Sequence, residues 1–367
     1  MRRVFLVLIV VALAACAPRG GIVVVPAAAP EADLHTVFMA TTRTPTESVD
    51  FSNERNPDLT FGAYTVAIPP DRQPGTVRYP RANPDLREEF VTVSADLYDA
   101  PRAFTAALSR ELRQRPPGKR GVVVFVHGFN TNFAEGLYRT AQLTHDFGIE
   151  SVPLHYSWPS SANPLGYAHD RDSTLFARSG FASYLDSVIA AGPEEVLIVA
   201  HSMGSLLTME TLRTMSLERP GRVARDIDGL VLFSPDIDIQ VFRSQVRDIA
   251  RMPRDVIVFT SKRDRALQLS ARLSGDQRRL GNVGDIDDVA DLDITILDVT
   301  EFSRGLGHFT PGTSPELIRV LSNIPSLERA LNEGAQVNPG LLPGTVLTVQ
   351  NATAVILSPL TALSAQP

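Results

Sequence analysis

The sequence predicts an α/β fold on a mostly parallel, doubly wound sheet, and three features predict it. From Gly121 onward, short apolar runs alternate with helix-length segments: GVVVFVHG, SVPLHYSW, EEVLIVAHS, IDGLVLFSP, DVIVFTS and DITILDV. Unbroken apolar runs of this length suit strands covered on both faces, whereas an alternating pattern would suit a sheet with one wet face. Before them, LHTVFMATT, FGAYTVAI and EEFVTVSA have strand composition and are separated by proline-rich turns such as IPPDRQPG, which predicts antiparallel strands at one edge. The 367 residues, 44% of them hydrophobic, are enough for a large core in one or two domains.

The chain opens with MRRVFLVLIVVALAAC: two arginines, an apolar run from Val4 to Leu13, and small residues ahead of Cys16. This is the layout of a secretory signal over residues 1–15, and the run is too short for a confident membrane span. The LAAC ending resembles the lipobox of bacterial lipoproteins, which implies cleavage before Cys16 and a diacylglyceryl group on its thiol. Cys16 is the only cysteine, so no intrachain disulfide can form. Two or more acyl chains anchor a protein stably to a membrane. Similar lipoproteins carry an aspartate after the cysteine as an inner-membrane retention signal. Here that position is Ala17, which points to the outer membrane of a bacterial envelope, facing the periplasm. The net charge is −6, or −8 once Arg2 and Arg3 leave with the signal. The charges are scattered rather than gathered into a basic stripe, which argues against nucleic acid as a partner.

Residues 16–33 are rich in alanine, proline and glycine and read as a flexible tether to a folded domain over 34–335. Helical spacing is expected from Phe104 to Arg113 and from about Pro315 to Asn332. Residues 336–367 form an apolar tail. Its Val/Thr alternation allows a hairpin about Gln350 and Asn351 or an extra edge strand packed on the sheet; an exposed apolar segment could also touch membrane, although its apolar runs are too short to cross a bilayer.

The strongest chemical signal is Ala200-His201-Ser202-Met203-Gly204, which follows a strand run and precedes residues with helical spacing. A serine at a sharp strand-to-helix turn has its hydroxyl pushed out over the sheet edge. Small neighbours permit the strained backbone, and alanine is small enough to replace the first glycine of G-x-S-x-G. Such a serine needs a base. Of seven histidines, His35 and His155 read as strand residues, His145 as helical, and His169 as a loop residue ahead of the serine, while His127 and His201 flank other motifs. His308 remains, on the glycine-rich loop FSRGLGHFTPG after the last strand, in the chain order serine, acid, histidine. The acid should follow a strand between them. Asp264 in VIVFTSKRDRAL is preferred over Asp236 and Asp238 in LFSPDID, because the loop after the penultimate strand is the commoner source of the acid where a serine sits at such a turn; Asp238 is also placed to cap the helix beginning IQVF.

The HGFN loop after the VVVFV strand, AHSMG, SPDID, the SKRD-AL segment and the late GHF together resemble the α/β-hydrolase superfamily. More narrowly, they resemble a bacterial group of esterase/lipase-like hydrolases of unknown function. The resemblance covers about residues 35–325. It implies serine hydrolase chemistry with Ser202 as nucleophile, His308 as base and Asp264 as its orienting acid. It also implies that the backbone N–H groups of Phe129 and Met203 form the oxyanion hole. His127 and Asn130 would then hold the loop in shape. No metal or organic cofactor is called for, and the substrate is expected to be a small carboxylic ester. A thioester, an amide or acyl transfer remains open, as does a non-catalytic envelope scaffold on the same fold. Between Ser234 and Ile239 there is room only for a tight turn and not a large lid, so soluble short-chain esters are expected to turn over faster than emulsified triglycerides. Trp158 and the loop through Asn163, Pro164 and Tyr167 could roof the pocket, or Trp158 could lie in the core.

Overall fold

The computed structural model describes residues 19–275, 278–322 and 345–358, so the segment read as a secretory signal and Cys16 lie outside the described residues. Strands β1 (Asp33–Pro45), β2 (Phe51–Ile68) and β3 (Val91–Tyr98) form the antiparallel part, pairing in sequence order. FGAYTVAI is only the second half of β2. The first half, SNERNPDLT, has little strand composition and is carried by pairing beyond two register shifts in β1.

Six strands form the centre of the parallel part, which β1 joins by pairing parallel with β5: β4 (Val122–Val126), β5 (Val152–Ser157), β6 (Val196–His201), β7 (Gly229–Phe233), β8 (Asp255–Thr260) and β9 (Thr295–Asp298). Every residue of β4, β5 and β7 is buried, as expected of strands covered on both faces. The helices are α1 (Pro101–Gln114), α2 (Phe133–Asp146), α3 (Tyr167–Ala190), α4 (Met203–Glu218), α5 (Arg222–Asp226), α6 (Ile239–Asp248), α7 (Arg265–Leu273), α8 (Thr310–Thr313) and α9 (Pro315–Ser322). Local chemistry starts several of them. Pro101 sits in the first turn of α1, where its missing N–H costs nothing. Asn132 and Glu135 close a capping box on α2, and Asp238 and Asp264 cap α6 and α7. The expected helix from Pro315 is seen as α9 to Ser322, and its remaining residues lie outside the described ones.

The tail does both things its pattern allowed. Strands β10 (Thr345–Val349) and β11 (Ala352–Ile356) form a hairpin about Gln350 and Asn351, and β11 pairs parallel with β9. The sheet order is β10-β11-β9-β8-β7-β6-β4-β5-β1-β2-β3. Apolar side chains pack on both faces, and α4 is buried along Met203, Leu207, Met209, Leu212 and Met215.

The segment read as a flexible tether is not slack over its described part. Val25 N–H donates to Thr92 O at 2.8 Å, Thr92 N–H donates to Val23 O at 3.1 Å, and Ile22 N–H donates to Asp50 Oδ2 at 3.2 Å. Glycine and alanine here allow close packing against the domain rather than mobility: a Cβ on Gly20 would lie 2.9 Å from the Tyr79 ring. His169, expected in a loop, lies in the first turn of α3, because the turn after β5 is short and closes at Gly166.

Candidate active site

All six parallel strands end at the same edge of the sheet, and the loops that leave it build the site. Ser202 sits between β6 and α4 at φ 54°, ψ −121°, a conformation that side-chain-bearing residues rarely adopt. The neighbouring glycines show why this turn closes. A Cβ on Gly204 would lie 2.3 Å from His127 O and 2.7 Å from Val126 O, so only glycine lets α4 start this close to β4. A Cβ on Gly128 would meet Ser202 Cβ at 2.9 Å and His201 Nδ1 at 2.6 Å, so the HGFN loop lies directly against the serine.

His308 Nε2 is 2.8 Å from Ser202 Oγ, and its Nδ1 is 2.8 Å from Asp264 Oδ2. Asp264 is fully buried and has a second task, its Oδ1 accepting the N–H of Leu267 to cap α7. The histidine loop is fixed from several sides. Gly305 and Gly307 take positive φ, the Leu306 carbonyl accepts the N–H of Arg265, and the Ser303 hydroxyl lies 2.7 Å from that of Ser261. Phe309 packs against the rings of His201, Phe233 and Phe125, with the Arg139 guanidinium 5.2 Å from its centroid.

The other carboxylates after β7 are engaged elsewhere. Asp238 accepts the N–H groups of Gln240 and Val241 as the α6 cap. Asp236 accepts hydrogen bonds from Ser270 at 2.6 Å and Tyr167 at 3.0 Å and lies 3.4 Å from Arg279 Nε. Its own N–H donates to Ser202 O, so it braces the serine turn through the backbone. The turn from β7 to α6 is tight and carries no lid. Two other histidines near the site, His201 and the buried His127, are poor bases. Burial and the neighbouring His308 push His201 well below the usual imidazole range, and burial followed by the Arg43 charge does the same to His127.

Met203 is the first residue of α4, where the N–H has no partner within the helix, and Phe129 follows Gly128 against the serine. Trp158 is fully buried, with Nε1–H donating to His127 O at 2.7 Å and its ring stacked on His127, so it belongs to the core under this loop.

Sequence reading missed Arg43 and Asp170, both fully buried. Arg43 donates to Thr131 O at 2.7 Å, Ser157 Oγ at 2.9 Å and Ser160 O at 3.1 Å. Asp170 accepts from Ser160 Oγ at 2.5 Å, Ser161 N at 2.7 Å and Asn130 N at 3.4 Å. Together they tie the HGFN loop to the turn after β5. Burial lowers the Arg43 pKa to about 9. The only local signal was an arginine at the threonine-rich end of a strand run, ATTRTP. Asn130 is held from outside as well: its carbonyl and Oδ1 accept from Arg19 at 2.9 and 3.0 Å, and Arg19 also pairs with Glu135.

A mostly parallel sheet with a strained serine at a strand-to-helix turn, and a histidine returned to it from the last loop, defines an α/β hydrolase. The chain belongs to the family described as alpha/beta hydrolase of unknown function (DUF900), whose model matches residues 100–323. Among solved structures, it is similar to a Trichoderma reesei cutinase in complex with a phosphonate inhibitor, at 15% identity, covering 38% of this chain and 67% of that one, with a TM-score of 0.22. A lipase-esterase related protein from Clostridium acetobutylicum is 11% identical over 65% of this chain and 85% of its own, with a TM-score of 0.23. A structure of prolyl endopeptidases is 12% identical over 81% of this chain, with a TM-score of 0.33, and the match spans only 46% of that longer chain. No curated protein matches the sequence.

Proposed function

We propose that the protein is a lipid-anchored serine hydrolase that cleaves carboxylic esters through Ser202, His308 and Asp264. The observation that carries this reading is the unbroken chain of contacts from Ser202 Oγ to His308 Nε2 and from His308 Nδ1 to Asp264 Oδ2, each 2.8 Å. His308 Nε2 takes the proton from Ser202 Oγ as the oxygen attacks the ester carbonyl. The N–H groups of Phe129 and Met203 stabilise the oxyanion of the tetrahedral intermediate. His308 then gives its proton to the departing alcohol, leaving an acyl group on Ser202. A water, deprotonated by His308, attacks that acyl group, and His308 returns the proton to Ser202 Oγ as the acid leaves. Asp264 holds the proton on Nδ1 and stabilises the imidazolium. The lipobox-like LAAC supports an anchor at Cys16, and Ala17 supports placement in the outer membrane of a bacterial envelope. A fluorophosphonate probe tests the serine directly, and a panel of ester, thioester and amide substrates tests the bond cleaved. An unlabelled, folded protein would mean a scaffold without catalysis.

A further inference from the structure

Among the described residues, the most exposed leucines cluster at the mouth of this site, and Arg19 is held beside it. Among the described residues, six leucines are more than half exposed, and four of them, Leu165, Leu269, Leu273 and Leu306, follow the ends of parallel strands on the edge that carries Ser202. Leu165, 92% exposed, is on the turn after β5, two residues before Tyr167. Leu306, 67% exposed, is two residues before His308. Leu269 and Leu273 are four apart and therefore share one stripe of α7. That helix lies across the edge rather than down the sheet. Its cap, Asp264, holds His308, and Ser270 bonds both Asp236 after β7 and Tyr167 at the start of α3. Isolated exposed leucines are ordinary, but four around one opening form an apolar rim.

Charge and connectivity favour one occupant. Exposed arginines interleave with the leucines: Arg263 pairs with Glu301 and Arg304 with Glu316, while Arg265 and Arg272 have no ion pair among the described residues. Leucines interleaved with arginines on an exposed helix suit the headgroup region of an anionic lipid surface. The described chain starts at Arg19, which is clamped to Asn130 and Glu135 while Asn132 Nδ2 donates to Gly20 O at 2.7 Å. Cys16 is three residues earlier, so even an extended chain keeps it within roughly 10 Å of Arg19. A lipid group there would bring the membrane to the same edge.

We infer that this rim lies on the lipid surface holding Cys16, and that the ester taken by Ser202 is borne by that surface, its acyl chains in the lipid. The inference rests on the serine hydrolase and Cys16 anchor readings above. The lidless site would still admit soluble esters from water. The test uses the lipidated full chain in phosphatidylethanolamine and phosphatidylglycerol vesicles. With the Cys16 thiol occupied, Leu165→Cys, Leu269→Cys and Leu217→Cys each offer one thiol for a fluorophore. Leu217 lies at the far end of α4, about 20 Å from the serine. Labels at 165 and 269 should be quenched by brominated lipid and shielded from aqueous iodide, and the label at 217 should behave in the opposite way. Equal iodide quenching at all three overturns the docking. The mass of the N-terminal peptide and fluorophosphonate labelling of Ser202 in the same sample report separately on the anchor and the serine. In the Leu269→Ser, Leu273→Ser double variant, the ratio of vesicle-borne to soluble ester hydrolysis should fall about tenfold. An unchanged ratio would remove the rim from substrate delivery.

Discussion

Asp264 holds His308 with one carboxylate oxygen and the head of a helix with the other: Oδ2 is 2.8 Å from His308 Nδ1, and Oδ1 accepts the Leu267 N–H at 2.9 Å. The capping bond fixes the carboxylate, so the imidazole is oriented by a group that is itself immobile. Asp264→Asn retains an acceptor for the cap but puts an amide opposite His308. A fall in kcat on the order of 10⁴ is expected, the size seen for a triad carboxylate elsewhere. Asp236→Asn should cost much less. Steady-state kinetics on p-nitrophenyl butyrate decide it, and reversed effects would reassign the acid.

Ser202→Ala should abolish fluorophosphonate labelling and ester hydrolysis while the fold persists. Because φ is 54° here, Ser202→Gly should be more stable than Ser202→Ala by about 1 kcal/mol, although both lack the hydroxyl. Urea unfolding of the two variants measures the difference, and equal stabilities would mean the turn stores no strain.

Gly204→Ala puts a methyl group against the backbone carbonyls of His127 and Val126, which cannot yield as a flexible side chain would. A loss on the order of 3 kcal/mol is expected. Gly284→Ala, with no atom within 4 Å of its Cβ, should stay within about 0.5 kcal/mol of the parent. Comparable denaturation midpoints for the two variants would refute the close-approach account.

His127 and His155 are buried and neutral, and burial holds the His155 pKa down to about 3. The unfolded chain titrates near 6.5, so below that pH it binds protons that the folded chain refuses. Stability is therefore full above 6.5 and declines as pH falls toward the folded values, by about 1.4 kcal/mol per pH unit for each histidine. Denaturant titrations between pH 7.5 and 5 should show the decline. A flat profile would mean that these histidines take up protons without unfolding.

Cys16→Ser should block lipid attachment and leave uncleaved precursor, read by mass spectrometry and by partition into detergent. Processing at the same site in that variant would indicate an ordinary secretory signal.

The sequence by itself determined the parallel sheet, the position of the serine and the one histidine placed to reach it. Burial on both faces of a strand and a strand-to-helix turn leave local marks: VVVFV and AHSMG can be read without knowing what they touch. The tail hairpin was legible for the same reason, although its pairing with β9 was one of two options. Only the tertiary structure decided which polar groups meet. Arg43 and Thr131, or Asp170 and Asn130, are far apart in the chain, and nothing near either one announces a partner. The same holds for the N-terminal segment. Its glycines and alanines suit a slack tether and a close-packed strip equally well, and the choice came from Asn130, Glu135 and Thr92, which present hydrogen-bonding groups to it. Apolar burial follows from composition along the chain, whereas a buried hydrogen bond needs two distant groups brought within about 3 Å, which only the assembled packing can do.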